Sequence, residues 1–361
     1  MQERHKRLLR TIVSELRRTL AGTENENGQW VRGDLDRELE RLGIAPDGKI
    51  TAPDAAKPTR LELRAYQVAD TKLKALKPEE RPAVRQELVE RAAYTWINRL
   101  LALRAMEARG LIQETLRANR DYEGLSEASY VLRLTAPAAT GAADAGWWTV
   151  LEQACKAQAQ ALPGLFDLSD PSAALRPSTS ALLAAIKLVG GVPSGFSREE
   201  ADAAFADPDA VGWAYQFYQE AAKARTYAKL GTGGKASSRA EIAAITQLFT
   251  EPYMVQWLLQ NSLGRSYHEI YPDSQLPQSW PYYISHSEKN IVLSTEKVEH
   301  NSLLDTQHSA LYQCLTLVWG AVISCERLLT CWWRCTRSNF PDLKRLRFPI
   351  IFWNATCTAL I

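Results

Sequence analysis

Ala92-Ala93-Tyr94-Thr95-Trp96-Ile97-Asn98-Arg99-Leu100-Leu101-Ala102-Leu103-Arg104-Ala105-Met106-Glu107 is the stretch on which the fold turns. It reads as the middle of a long helix from about Pro78 to Ile112. A break is expected near Pro82, and Gly110 is the natural stop signal. Asn98, Arg99 and Arg104 stand among large apolar residues, so this helix carries polar groups into the core of whatever packs around it.

Working outward, helical patterning continues in both directions. Leu8, Leu9, Ile12, Val13, Leu16 and Leu20 recur at three- and four-residue spacing, with Arg4, Arg7, Arg10, Arg17 and Arg18 among them. They predict an amphipathic, basic first helix whose charges form either a solvated face or a DNA-contacting one. Residues 22–57 are polar and punctuated by Gly and Pro. Residues 134–146, rich in Ala, Gly, Pro and Thr, read as a linker. Further helices are expected at about 147–162, 173–189, 197–205 and 209–228, then, after a Gly/Ser/Lys loop at 230–238, at 239–248 and 252–263. Few alternating strand patterns occur before residue 280, and there is no internal repeat. The fold class is mainly α.

Composition limits the function classes. The chain has 361 residues, 46% hydrophobic and 23% charged, with a net charge of +2. A large core is possible, and any nucleic-acid surface must be local rather than global. The start, Met-Gln-Glu-Arg-His-Lys-Arg, lacks a signal-peptide apolar core, which makes the cytoplasm the expected location. Leu311 to Ser324 is apolar but too short for a bilayer, so no membrane partner is expected. Five of the six cysteines (Cys314, Cys325, Cys331, Cys335 and Cys357) crowd into the last fifth of the chain.

Three short strings imitate catalytic motifs. Leu230-Gly231-Thr232-Gly233-Gly234-Lys235-Ala236-Ser237 has Lys229 where a P-loop needs its first Gly. Ala236 stands where that loop needs a magnesium-binding hydroxyl. Gly190-Gly191-Val192-Pro193-Ser194-Gly195 lacks the Gly-x-Ser-x-Gly of a nucleophile elbow and reads as a turn. Cys331-Trp332-Trp333-Arg334-Cys335 has no second ligand pair at zinc-site spacing, so no metal site is assigned.

Three other segments resemble a known family. Ala93 to Glu107 is similar to the "AYTWFNR…ALRxME" helix of BREX-type (PglX-like) adenine-specific DNA methyltransferases. Asp207-Pro208-Asp209-Ala210-Val211-Gly212-Trp213-Ala214-Tyr215-Gln216-Phe217-Tyr218 resembles the family's "D-x-D-x-x-G-W-x-Y-Q-x-Y". Thr246-Gln247-Leu248-Phe249-Thr250-Glu251-Pro252, continued through Asn261-Ser262-Leu263-Gly264-Arg265, resembles "TQLFTP…VENSLGR". They fall in the family's order. The resemblance implies methylation of adenine N6 in double-stranded DNA, with S-adenosyl-L-methionine as cofactor, as the host-marking arm of a phage-defence system. Other phage-defence proteins are implied as further partners. It also implies that Phe249 and Thr250 face the cofactor. Thr250 is expected to cap the following helix, whose first turn would hold Glu251 and Pro252 and offer N–H groups to the cofactor's carboxylate. The family usually has Pro directly after this Thr, whereas Glu251 intervenes here.

The family's catalytic strings, Asp-Pro-x-x-Gly-Ser-Gly and Asn-Pro-Pro-Tyr, occur nowhere in the chain. No catalytic residue is therefore assigned, and the chain is expected to be inactive alone. The tail suggests why. Joining the third base of each codon to the first two of the next, from Leu315 onward, permits D-P-G-V-G-S-G-H-F-L. In it the Trp319/Gly320 junction can only give Gly. Further on, Trp332/Trp333 forces Val and Trp353/Asn354 forces Glu, both where the family has them. A frameshift between about Ile284 and Leu315 is the expectation. The predicted organisation is a helical amino-terminal region at 1–238, pre-catalytic helices at 239–284 leading into a Rossmann-like α/β domain that is cut short, and an out-of-frame, poorly ordered tail at 285–361. The alternative is a non-catalytic helical module that binds DNA or other proteins of a defence complex.

Overall fold

The structure, a computed structural model, describes residues 1–24, 29–53, 59–236, 239–246 and 248–285. The tail from 286, with five of the cysteines and the expected change of reading frame, lies outside the described residues. The described chain is mainly helical, as expected. It divides into two compact units, Met1–Ala224 and the residues from Arg225 onward.

In the first unit α1 (Glu3–Leu20) leads through a small antiparallel hairpin, β1 (Gly22–Glu24) and β2 (Trp30–Arg32), into α2 (Asp34–Arg41). Then come α3 (Arg60–Lys74), α4 (Arg81–Ala108), α5 (Glu127–Thr135), α6 (Pro137–Thr140), α7 (Trp147–Ala159), α8 (Pro163–Phe166), α9 (Thr179–Gly190) and α10 (Arg198–Ala206). The next helix, α11 (Ala210–Gly231), begins in the first unit and ends in the second.

The spine of the first unit is α4, against which α1, α2, α3, α8, α9 and α10 pack. With neighbours on several sides, its second half is buried almost all round. Trp96, Ile97, Leu100, Leu101 and Leu103 are covered, and so are Arg99, Arg104 and Glu107. The expected break at Pro82 is absent because Pro82 sits in the first turn, where its missing N–H would have no intrahelical partner anyway. Gly110, at φ +67°, lies just past the end, as its role as a stop signal requires. The apolar stripe of α1 is entirely buried, and its amphipathic reading holds.

Elsewhere the polar and linker readings missed helices. Within 22–57 the structure forms α2, whose Leu35 and Leu39 reach the core. The expected linker at 134–146 contains the end of α5 and all of α6. The helix expected at 173–189 begins only at Thr179, capped by the Ser178 hydroxyl; the residues before it hold a 3-10 turn at Pro171–Ala173.

The second unit adds α12 (Arg239–Thr246), α13 (Pro252–Asn261) and α14 (Leu263–Ile270) to the end of α11. Among the described residues no helix is long and apolar enough to cross a membrane.

Candidate functional site

The first two resemblance segments come together in the first unit. Tyr94 on α4 meets Tyr218 on α11 edge-on, with ring centroids 5.2 Å apart, and meets Tyr215 at 6.4 Å. The Tyr218 hydroxyl donates to a Glu90 carboxylate oxygen at 3.2 Å, and Arg17 of α1 pairs with the other oxygen at 3.3 Å. The Arg17 guanidinium also lies over the Tyr218 ring, 5.3 Å from its centroid. Burial, then the neighbouring Glu90 charge, pushes the Tyr218 phenol well above its usual pKa, so it stays a neutral donor. At the start of α11 the Asp207 carboxylate accepts the Asp209 N–H at 2.9 Å. The tyrosine positions thus fasten α1, α4 and α11 to one another, while the aspartate bond closes the turn before α11.

The buried cations of α4 have separate tasks. Arg99 donates to the carbonyls of Leu165 and Asp167, both at 2.8 Å, closing the end of α8. Burial lowers its pKa, which the weaker influence of nearby Cys155, Asp170 and Asp167 only partly opposes. Arg104 pairs with Asp202 of α10 and, at 3.3 Å, with Glu107. Glu107 in turn accepts the N–H groups of Thr115 and Leu116 at 2.7 and 2.8 Å. Arg117 joins the same Asp202 at 2.9 Å. Burial alone would raise the Asp202 pKa, but the Arg117 hydrogen bond and the Arg104 charge bring it below the usual value.

The third segment organises the second unit. Phe249 is buried and Thr250 half-buried. The expected cap is corrected: Glu251, not Thr250, occupies the cap position of α13, with ψ 136°, and Pro252 is the first helical residue. A residue before proline is driven out of the helical region, so the helix can start no earlier. Pro252 brings no N–H, and the Met254 and Val255 N–H groups both return to the Glu251 carbonyl. The helix start therefore offers a carboxylate less than an ordinary one would.

At its other end α13 holds the turn that follows Trp280. The Gln260 side-chain oxygen accepts the Tyr282 N–H at 2.7 Å. The Asn261 amide donates to the Tyr282 carbonyl at 2.7 Å and accepts the Ile284 N–H at 2.9 Å. Gly264 lies against the Trp280 ring, where a Cβ would sit 2.7 Å from ring carbon. Trp280 meets Tyr283 edge-on at 5.6 Å, and the His268 Nδ1 is 2.9 Å from the Tyr283 hydroxyl. The sequence reading did not single out Gln260, Trp280 or Tyr283. Their only advance signal is the aromatic run Trp280-Pro281-Tyr282-Tyr283.

The P-loop imitation is settled by backbone geometry. Gly233, at φ +82°, donates to the Leu230 carbonyl, and Gly234 donates to that of Lys229, both at 3.0 Å. This is a Schellman stop for α11, and these amides are committed to the helix rather than to phosphate. Two cavities, of about 260 and 480 Å³, lie in the first unit beside α3 and are not lined by Phe249 or Thr250. Among the described residues no group of His, Cys, Asp and Glu could hold a metal ion.

The first two of the three segments pack together in the first unit, and the third lies in the second. Comparison with known proteins agrees with the resemblance they carry. The chain is 31% identical over 275 residues to the adenine-specific methyltransferase BrxX of Escherichia coli O9:H4 (strain HS), a match covering 70% of this chain and 22% of that protein. It is 24% identical over 350 residues to the adenine-specific methyltransferase PglX of Lacticaseibacillus casei (strain Zhang), covering 83% of this chain and 28% of that protein. No protein-family model matches. The chain is a homologue of the BREX adenine-specific methyltransferases and spans about a quarter of the length of these relatives.

Proposed function

We propose that this chain is the helical region of an S-adenosyl-L-methionine-dependent enzyme that methylates adenine N6 in double-stranded DNA for a phage-defence system. On this reading the chain alone is inactive, because the Asp-Pro-x-x-Gly-Ser-Gly and Asn-Pro-Pro-Tyr strings are absent from it. The observation that carries the proposal is the 31% identity to the Escherichia coli enzyme over 70% of the chain. Phe249 and Thr250 would face the cofactor, with Phe249 supplying apolar surface and Thr250 a hydroxyl at the start of α13. The cofactor, when bound, supplies the methyl group.

Two measurements test this. Sequencing the gene past codon 284 is expected to show the Asp-Pro-x-x-Gly-Ser-Gly coding sequence in the overlapping frame; its absence there overturns the frameshift. Calorimetry of the chain with S-adenosyl-L-methionine is expected to show no tight binding. Tight binding would mean that the site is already complete. The second reading is a non-catalytic module that binds DNA or defence proteins; the described contacts of the α4 and α11 motifs, which are architectural, assign them no catalytic role.

A further inference from the structure

Among the described residues the second unit is the smaller of the two, yet it carries more of the exposed large apolar side chains than the first. They concentrate on α13. One side of this helix buries Val255 and Leu259, and α13 packs on α14. The other side presents Tyr253, Met254, Trp257 and Leu258, all exposed. Asn261, the next turn along that side, fastens the backbone of Tyr282 and Ile284, whose side chains are exposed too.

A helix that is apolar on opposite sides belongs in a protein interior or a bilayer. With 10 residues, α13 is far too short for a bilayer. From Pro252 to Gly264 there is no Lys, Arg, Asp or Glu. A phosphate-binding surface needs cations, and so does the polar side of a helix that lies on a membrane. The face therefore fits protein. Its composition is that of an interface centre, where Tyr, Trp and Met are enriched and charge is depleted. It also complements itself. Tyr253 and Trp257, one turn apart, form an aromatic row, and Met254 and Leu258 form an aliphatic row beside it. An antiparallel pairing about a two-fold axis sets each row against its own copy. Tyr253 then meets Trp257 of the second copy, and Met254 meets its Leu258. With no charge on the face, the two copies meet without repulsion.

We infer that the exposed face of α13 is a self-association surface, through which two copies of this chain pair antiparallel about a two-fold axis. A standard interface engages about 20–30 residues a side, so a face built on Tyr253, Met254, Trp257 and Leu258 makes a weak, concentration-dependent dimer.

The test is sedimentation velocity of the full chain from about 1 to 100 μM, the range in which a small interface dissociates. The wild type is expected to pass from monomer to dimer across that range. Met254→Lys and Leu258→Glu each set a charge against an apolar side chain of the second copy. Each is expected to weaken pairing roughly tenfold or more. Mixed in equal amounts, the two variants bring opposite charges together across the axis and are expected to recover the dimer. A control, Val131→Glu with Leu134→Lys, alters exposed apolar residues of α5 in the first unit and should pair as the wild type does. Circular dichroism confirms that each variant keeps its helix content. A wild type that stays monomeric throughout overturns the inference and leaves the face to a different occupant. Dimers that persist in both single variants overturn it by placing the contact elsewhere. Large polydisperse species overturn it by showing unspecific adhesion, and a mixture that stays monomeric overturns the antiparallel pairing.

Discussion

At the scale of single residues, the polar groups inside α4 are the most consequential feature. Glu107 is buried, and burial, more than the Arg104 charge can offset, raises its pKa. It serves Arg104 and two backbone N–H groups at once. Glu107→Ala strands the two N–H groups in a low-dielectric interior, leaves Arg104 with Asp202 alone, and is expected to cost about 3 kcal/mol, measured as a lowered urea midpoint by circular dichroism. Glu107→Gln keeps an acceptor for the amides and should cost clearly less; equal loss in both would show that packing, not the polar network, holds this corner. Gly190 is a second such position. It ends α9 where the backbone of Leu116 crosses against it, its carbonyl accepts the Ala118 N–H at 3.1 Å and the Arg198 guanidinium at 2.8 Å, and an added Cβ would overlap the Leu116 carbonyl. Backbone cannot yield as a flexible side chain does, so Gly190→Ala should destabilise by about 2 kcal/mol or more. A thermal midpoint unchanged from wild type would contradict that.

At the scale of elements, helix ends carry the information that composition hides. The first turn of α3 is a capping box: Thr59 accepts the Glu62 N–H at 3.2 Å, and Glu62 accepts the Thr59 N–H at 2.8 Å. The Thr59 backbone and hydroxyl hydrogen bonds, helped by Arg41, hold the Glu62 carboxyl at about 2, below its usual 4.5. A depressed carboxylate stabilises the fold above its unfolded pKa and loses that contribution as pH falls toward the folded one. The stability gap between wild type and Glu62→Gln should therefore be full near neutrality and close between about pH 4.5 and 2. A gap independent of pH would show that the charge contributes nothing. Thr59→Ala should cost about 1 kcal/mol in the same denaturation series. In the second unit, the Gln260 and Asn261 side chains hold the backbone of Tyr282 and Ile284. Replacing both with Ala should speed hydrogen exchange at Tyr282 and Ile284 by roughly tenfold or more while sparing the interior of α4.

At the scale of the whole molecule, the helical class was legible because periodicity is a local property, and α1, α4 and α11 announce it in long uninterrupted patterns. The first turn of α4 was misread because the same proline breaks a helix interior and starts a helix well. The shorter α2 and α6 were hidden because tertiary burial, not propensity, makes short polar or Ala/Gly-rich stretches helical. The capping of α13 failed on one inserted residue: Glu251 moves the start, and Pro252 fixes it. The partners of Arg104 and Tyr218 were out of reach, since Asp202 and Glu90 lie about a hundred residues or more away along the chain. The proposed lack of methyl transfer also rests on local sequence. Transfer to adenine N6 needs a glycine turn beside the cofactor and a polar grip on the flipped base, and the sequence contains neither motif. Incubated with labelled S-adenosyl-L-methionine and unmethylated duplex DNA, the chain as written should incorporate no label above a protein-free control. A version whose reading frame is restored between Ile284 and Leu315, and continued into the coding sequence beyond, should incorporate it into adenine. Label in both versions would show that the strings absent here are not required. Label in neither, with the restored protein folded and binding cofactor, would count against the proposed methyl transfer.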